Sequence, residues 1–535
     1  MKTISRRTTL LAALATTALT LLAPMGATAQ EDPQPSRTLL ATWGGFEPQA
    51  VFVPAGGGGS PEFTSTKILE PMLEADDELN FEPVLATAVT PSEDFMSYTI
   101  TIREGVTWHD GTPFTTDDVV FNAMEYWKGV VASAAFQFLT GAEATGENEV
   151  TLTFSQPTPE FFLKSALVRV LVIPKHIYEG TEFATNEANN APIGTGPFVF
   201  EEWVRGSHIE YSKNENYWAD GQPYADGLII RYWRDPSSRT AAFEAGEVDI
   251  GVYNPIPAAD IDRLGAMDEF ATSTGGYLTS AWASTIEFNS RNPIVSEVPV
   301  RQAIMHAIDK AFIADVIYSG KAVPGTSFVS SSNSKFYSDD VPQYAYDPEL
   351  AAQMLDEAGY PVGDDGTRFS IELVAAGWFE ENAQIGQYVK QALGDIGIEA
   401  NLNVPDRPSS FRTIYGEYAY DIALSNHSAP AELVPVQTNF VTTSGILKGV
   451  PFRNASGYSN PELDAIVENL TSETDEAVRA ELAHEMQTIL AEDLPITILV
   501  EHTSTTVASA DVKGYDHLAN ILANSWAGLW IDESE

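Results

Sequence analysis

The sequence predicts a mixed α/β protein of two or three unequal packing units, on three observations. Its 535 residues exceed what one ordinary hydrophobic core organises, while 44% hydrophobic and 10% aromatic content supplies ample core material. Short runs with apolar residues at every second position alternate with longer runs at helical spacing. After about Ile286 these interleave as a sheet covered by helices requires, whereas residues 76 to 190 are strand-rich.

The first thirty residues read as an address. A basic front, an apolar stretch from Leu10 to Ala23 and the small-residue exit Ala27-Thr28-Ala29 form a cleavable export signal. Ser5-Arg6-Arg7-Thr8-Thr9-Leu10-Leu11 is similar to a twin-arginine signal, although Thr9 stands where an aromatic is usual and Leu11 where a lysine is usual. Cleavage near Ala29 leaves a chain with no stretch of about 18 uninterrupted apolar residues, so the mature protein is expected to be soluble.

The strand runs Tyr98 to Arg103 and Glu149 to Phe154 alternate cleanly, with Tyr98, Ile100, Ile102, Val150, Leu152 and Phe154 on their apolar faces. Between them, His109-Asp110-Gly111 makes a tight turn, and Thr115 with Asp118 three residues on forms a capping-box helix start. Val119, Val120, Ala123, Met124 and Trp127 share one face of that helix. Helical spacing recurs over Arg301 to Tyr318, Pro348 to Gly359, Glu381 to Gly397 and Pro461 to Leu490, with Asp347-Pro348 as cap and first turn of the second. In Gly194-Thr195-Gly196-Pro197 the glycines permit a tight backbone path and Pro197 fixes φ.

Composition excludes several functions. The 75 acidic against 29 basic residues give a formal charge of −46, a field that repels nucleic acid and anionic membrane. Losing Lys2, Arg6 and Arg7 with the leader leaves 26 bases against 75 acids, a charge of −49. Zero cysteines remove disulfides, thiolate nucleophiles and cysteine metal sites. The eight histidines fall nowhere at a spacing of three or four, and Gly-x-Ser-x-Gly, His-Glu-x-x-His and Walker motifs are absent. His109-Asp110 and His484-Glu485 are the acid/base pairs an enzyme would have to use. The first lies in a turn and the second on a charged helix, so no catalytic residue, cofactor or metal is assigned.

Ordered motifs then accumulate: the turn and helix start of residues 103 to 121; Ile173-Pro-Lys-His176; Gly194-Thr-Gly-Pro-Phe198 with Asn216-Tyr-Trp218; Ala242-Phe-Glu-Ala-Gly-Glu-Val-Asp-Ile250; Val300-Arg-Gln-Ala-Ile-Met-His-Ala-Ile-Asp309; Tyr346-Asp-Pro-Glu-Leu350; and Gly457-Tyr-Ser-Asn-Pro-Glu-Leu-Asp464. From about Ala41 to Glu501 the chain resembles the peptide-type (family 5) extracellular solute-binding proteins that feed ABC importers. The resemblance implies a two-lobed periplasmic binding protein, a Venus-flytrap α/β fold with an extra subdomain inserted in lobe one. In that layout residues 30–75, 191–286 and 505–535 form lobe one, 76–190 the insertion and 287–504 lobe two. It also implies a monomer whose lobes close on a peptide or peptide-like solute for the permease, with an oligosaccharide or opine-like solute as the alternative and a secreted hydrolase as the reading from another class.

A cleft binder needs aromatic walls and a few directed polar groups. Trp43 follows the first strand of the mature chain, and Tyr277 with Trp282 precedes the lobe crossover expected near Asn289. Trp378 follows the strand Phe369 to Val374, at the strand end where α/β clefts collect ligands. Peptide-binding members carry a tryptophan and an ammonium-pairing aspartate after the strand corresponding to Tyr420 to Leu424. Here those positions fall on His427 and Pro430. Asn426, His427 and Ser428 are therefore ligand candidates, with Glu432 as a replacement acid.

Overall fold

The computed structural model describes residues 35–55, 59–131, 134–429 and 438–533; the export signal and Glu432 lie outside them. Their strands build two large sheets and a smaller one. In spatial order the first sheet is Phe270–Ser273, Thr506–Ser509, Ile250–Val252, Leu39–Trp43, Gly227–Arg231, His208–Lys213 and Phe198–Val204. The buried strand Leu39–Trp43 runs parallel to both of its neighbours, which suits an apolar run covered on two faces. Arg37 and Asp249 form a bidentate pair at 2.7 and 2.9 Å, and the same carboxylate accepts from the Leu40 amide at 2.7 Å. That contact locks the start of the strand.

The second sheet, Ala322–Pro324, Ile496–His502, Ala281–Phe288, Ile422–Ala429, Phe369–Ala375 and Ile398–Asn403, is the core of lobe two. Its apolar residues pack with those of the helices Val298–His306, Pro348–Glu357 and Glu380–Asp395. Asp347 caps the second of these, accepting from the Leu350 amide at 2.9 Å. The run 301–318 breaks: Asp309 accepts from the amides of Ala311 and Phe312 and starts a new turn, which widens to π geometry over Ile313–Ile317. The run 461–490 is likewise two helices, Pro461–Leu470 and Glu476–Asp493, because Asp475 caps a second start.

The inserted subdomain carries the four-stranded antiparallel sheet Ala86–Pro91, Ser97–Ile102, Glu149–Phe154 and Leu139–Ala144. All six residues predicted for its apolar faces are buried. The Asp118 carboxylate accepts from the Thr115 amide at 3.0 Å and from the Lys175 amide at 3.1 Å. His109 Nε2 lies 2.9 Å from the Gly196 carbonyl and fastens the insertion to the glycine loop, while Asp110 bonds His176 at 2.8 Å within the insertion. A Cβ on Gly194 would stand 1.8 Å from the Ile68 carbonyl oxygen, which is why that loop requires glycine.

Two chain segments cross between the large sheets, residues 274–280 and 503–505. The first crossover thus precedes Trp282 rather than following it near Asn289. Residues 281–286, expected in lobe one, begin a strand that pairs on both sides with second-sheet strands. The alternation from Ala281 to Phe288 continues unbroken through the expected boundary, and no local signal marks the change of sheet.

Candidate ligand cleft

The crossovers bring together the ends of Leu39–Trp43 and Ile250–Val252 from one sheet and of Ile422–Ala429, Phe369–Ala375 and Ile496–His502 from the other. On the lobe-one side, Tyr253 and Asn254 both adopt positive φ, 60° and 51°, a backbone state that costs free energy for non-glycine residues. Surrounding contacts hold it. The Tyr253 amide donates to the Tyr277 hydroxyl at 2.8 Å, and Asn254 exchanges two bonds with Thr505 at 2.8 and 2.9 Å. A Cβ on Gly44 would meet the Tyr253 carbonyl oxygen at 1.8 Å, so this approach depends on glycine there.

Trp43 is 6% exposed, with its ring 6.1 Å from those of Phe63 and Tyr253 and its indole N–H donating to the Phe46 carbonyl. Tyr277 is also buried, its hydroxyl committed to the Tyr253 amide and to Thr506 at 2.8 Å. Trp43 is thus mainly a packing residue and Tyr277 a hinge residue, each a step behind the cleft surface.

On the lobe-two side a chain of polar side chains crosses the strand ends. Asn382 donates to Asn426 at 2.6 Å, and Asn426 donates to Ser284 at 2.9 Å. Ser284 and the Tyr318 hydroxyl lie 2.8 Å apart, each 2.9 Å from His502 Nε2. Burial pushes the His502 imidazole down to about 4, so it is neutral near pH 7. Trp282 and Phe379 flank its His502 end: Trp282 lies 5.5 Å from Phe379, which meets His502 edge-on at 6.2 Å.

Asn426 is fully buried inside that chain, while its neighbour His427 faces the opposite side of the sheet. His427 stacks on Phe440 at 4.0 Å and is held at about 3 by burial. Its Nε2 is buried with no hydrogen-bond partner among the described residues. Ser428 is half-buried opposite Trp282. Trp378 points away from this group into a small core, with Phe411 at 5.2 Å and Phe452 at 6.3 Å.

Sequence reasoning missed Tyr253, Ser284, Tyr318, Phe379, Asn382 and His502. The strand-end argument that singled out Trp378 applies equally to the residues just after it. Tyr318 and His502, 184 positions apart, carry no local signal. Among the described residues the one group with metal-ligand proximity is Glu202, His208 and Glu210 on a lobe-one hairpin, within 4.8 Å of one another; strand alternation and the acidic surface account for it. No helix among the described residues is long and apolar enough to cross a membrane.

Comparison with known proteins agrees with this architecture. The chain is 27% identical over 463 residues to the oligopeptide-binding protein AppA of Bacillus subtilis (strain 168), covering 83% of each. It is 26% identical over 501 residues to heme-binding protein A of Haemophilus influenzae, covering 88% of this chain and 87% of that one. The structure of Bacillus subtilis AppA in complex with a nonapeptide superposes with a TM-score of 0.76 at 24% identity, over 94% of this chain and 100% of that one, a likeness of fold. Residues 80–445 match the model of the bacterial extracellular solute-binding proteins, family 5. Two large sheets joined by two crossovers and a family match across most of its length place this chain among the family 5 bacterial extracellular solute-binding proteins.

Proposed function

We propose that this protein is exported by the twin-arginine route, loses its leader near Ala29, and acts in the periplasm as a monomeric receptor for a peptide or peptide-like solute. In this reading the solute enters the cleft between the lobes and contacts both of them only when they are shut. Binding therefore shifts the population toward the closed form. The closed form is what the ABC importer's permease recognises, and the solute passes on chemically unchanged. The sheet ends facing each other across two short crossovers carry this reading, because closure needs a hinge and two opposed walls.

Mass spectrometry of solute released by denaturing protein freshly isolated from its own periplasm tests it. A peptide of intact sequence is expected. A sugar or opine would move the protein to another ligand class of the same fold, and cleavage products accumulating with time would make it a hydrolase.

A further inference from the structure

Apart from the cleft, the molecule holds a cavity of about 230 Å³ whose walls include Glu74, Tyr217, Trp218, Gln222, Asn524 and Gly528. Glu74 comes from the strand Leu73–Ala75, the aromatic pair and Gln222 from the link between His208–Lys213 and Gly227–Arg231, and the last two from the chain after Thr506–Ser509. None of the described lining residues belongs to the second sheet or its helices, so the cavity is separate from the gap between the two large sheets.

Its aromatic wall is pinned from behind. The fully buried Glu70 accepts from the Tyr217 hydroxyl at 2.7 Å and from the Trp218 indole N–H at 3.1 Å. The Arg103 guanidinium lies 3.9 Å from the centre of the Trp218 ring and donates to the Val84 carbonyl at 2.7 Å, fixing that wall without itself lining the cavity. Glu74 is the one charged side chain among the described lining residues. Its carboxylate meets neutral donors, the Ser525 amide and the Asn524 side chain. The buried Lys67 ammonium, whose field reaches it, spends its bonds on the Thr66 hydroxyl and on the Leu522 and Asn524 carbonyls, so among the described residues no ion pair closes on Glu74. A cavity below the roughly 300 Å³ that drug-sized ligands need admits only a small solute. One carboxylate beside two aromatic rings and two side-chain amides suits a compact cation with an apolar body, because the acid matches its charge while the rings attract cations and cover hydrocarbon.

We propose that this cavity is a second binding site, on the first-sheet side of the molecule, for a small organic ammonium ion that pairs with Glu74 and packs its hydrocarbon on Tyr217 and Trp218. The carbonyl oxygens of Gln222 and Asn524 take the ammonium's remaining hydrogen bonds. The site goes beyond the receptor reading above and does not depend on it, since its occupant is a free amine and no closure of the lobes is needed to complete it.

Saturation-transfer NMR on the full mature chain with n-butylammonium chloride, and with 1-butanol as its neutral counterpart, tests the proposal in about 0.5 M sodium chloride, where exposed acids are screened. The wild type should bind butylammonium about tenfold or more tighter than butanol, and the isosteric Glu74→Gln should erase that difference. At Gly528 the backbone φ is not positive and an added Cβ would meet no atom within 4 Å, so Gly528→Leu should keep the fold, fill the cavity and weaken the binding of both probes. Both variants should melt within a few degrees of wild type. No transfer to butylammonium, equal binding of the two probes by the wild type, or a preference that survives Glu74→Gln overturns the role of Glu74. Butylammonium binding that is unchanged in Gly528→Leu puts the amine elsewhere and overturns the site, and that variant alone decides if Glu74→Gln does not fold.

Discussion

The ring of Phe161, on the helix Glu160–Arg169 of the inserted subdomain, meets the ring of Phe336 in lobe two edge-on, with centroids 5.9 Å apart. Phe161 is 3% exposed and belongs to the same apolar cluster as Phe328, Phe440 and Leu463 of lobe two. The Lys335 ammonium lies 4.1 Å from its ring, and Gln156 reaches Thr471 across the same boundary. This apolar contact joins two units on opposite sides of the hinge and holds them in the arrangement the structure shows.

Phe161→Ala should therefore weaken solute binding while leaving each lobe folded. Core Phe→Ala changes cost about 3–5 kcal/mol; at a boundary that can part, about 1–3 kcal/mol of closed-state stabilisation is expected, or roughly tenfold in affinity. Calorimetric titration with a mixture of random hexapeptides and circular dichroism check this. Unchanged affinity, or loss of the folded signal, would contradict it.

Asn426 links Asn382 to Ser284 inside the sheet. Asn426→Ala strands both partners in a dry site and should cost about 1–3 kcal/mol. Combined with Ser284→Ala, the losses should fall short of the sum by more than about 0.5 kcal/mol, since both changes break one chain. Additive losses in urea unfolding would show that the chain is not coupled.

Buried histidines and buried glutamates should shape opposite limbs of the stability profile. His502 is pushed down to about 4 from an ordinary value of 6.5, so between those pH values the unfolded chain binds the extra proton and stability falls as pH drops below 6.5. Burial lifts Glu70 from 4.5 to about 7. In that window the folded chain holds the extra proton, and stability falls as pH rises from 4.5 through 7. His502→Gln should soften the acid limb, to which His427 also contributes, and Glu70→Gln the decline toward neutrality, to which Glu287, likewise lifted to about 7, contributes. Melting temperatures measured from pH 4 to 8 distinguish them, and parallel profiles for all three proteins would refute both assignments.

Trp378 packs on Phe411 and Phe452 rather than on the polar wall. Trp378→Ala is expected to lose about 2 kcal/mol of stability through its packing and to leave solute affinity within about twofold of wild type. A tenfold or greater loss of affinity in the folded variant would restore Trp378 to the cleft surface.

Much of this fold was legible because the physics is local. The alternation in 98–103 and 149–154, the cap at Asp347 and the glycine approach at Gly194 each reflect a constraint met within a few residues. The breaks at Asp309 and Asp475 were legible in principle, since both are capping acids inside a long helical run. The lobe crossover was not, because Ala281 to Phe288 alternates identically whichever sheet receives it. Strand-end logic pointed to residues 375–380, where Trp378 packs on Phe411 while Phe379 lies against Trp282 and His502. The turn of the helix, set by packing against the sheet, decides which of these faces the gap.

Small-angle scattering of the mature protein, with and without a saturating peptide, addresses hinge closure most directly. The radius of gyration should fall on binding, the bound curve should match the arrangement in which Phe161 packs on Phe336, and the peptide should be recovered intact. A radius that stays constant while peptide is bound, or recovery of peptide fragments, would contradict the account.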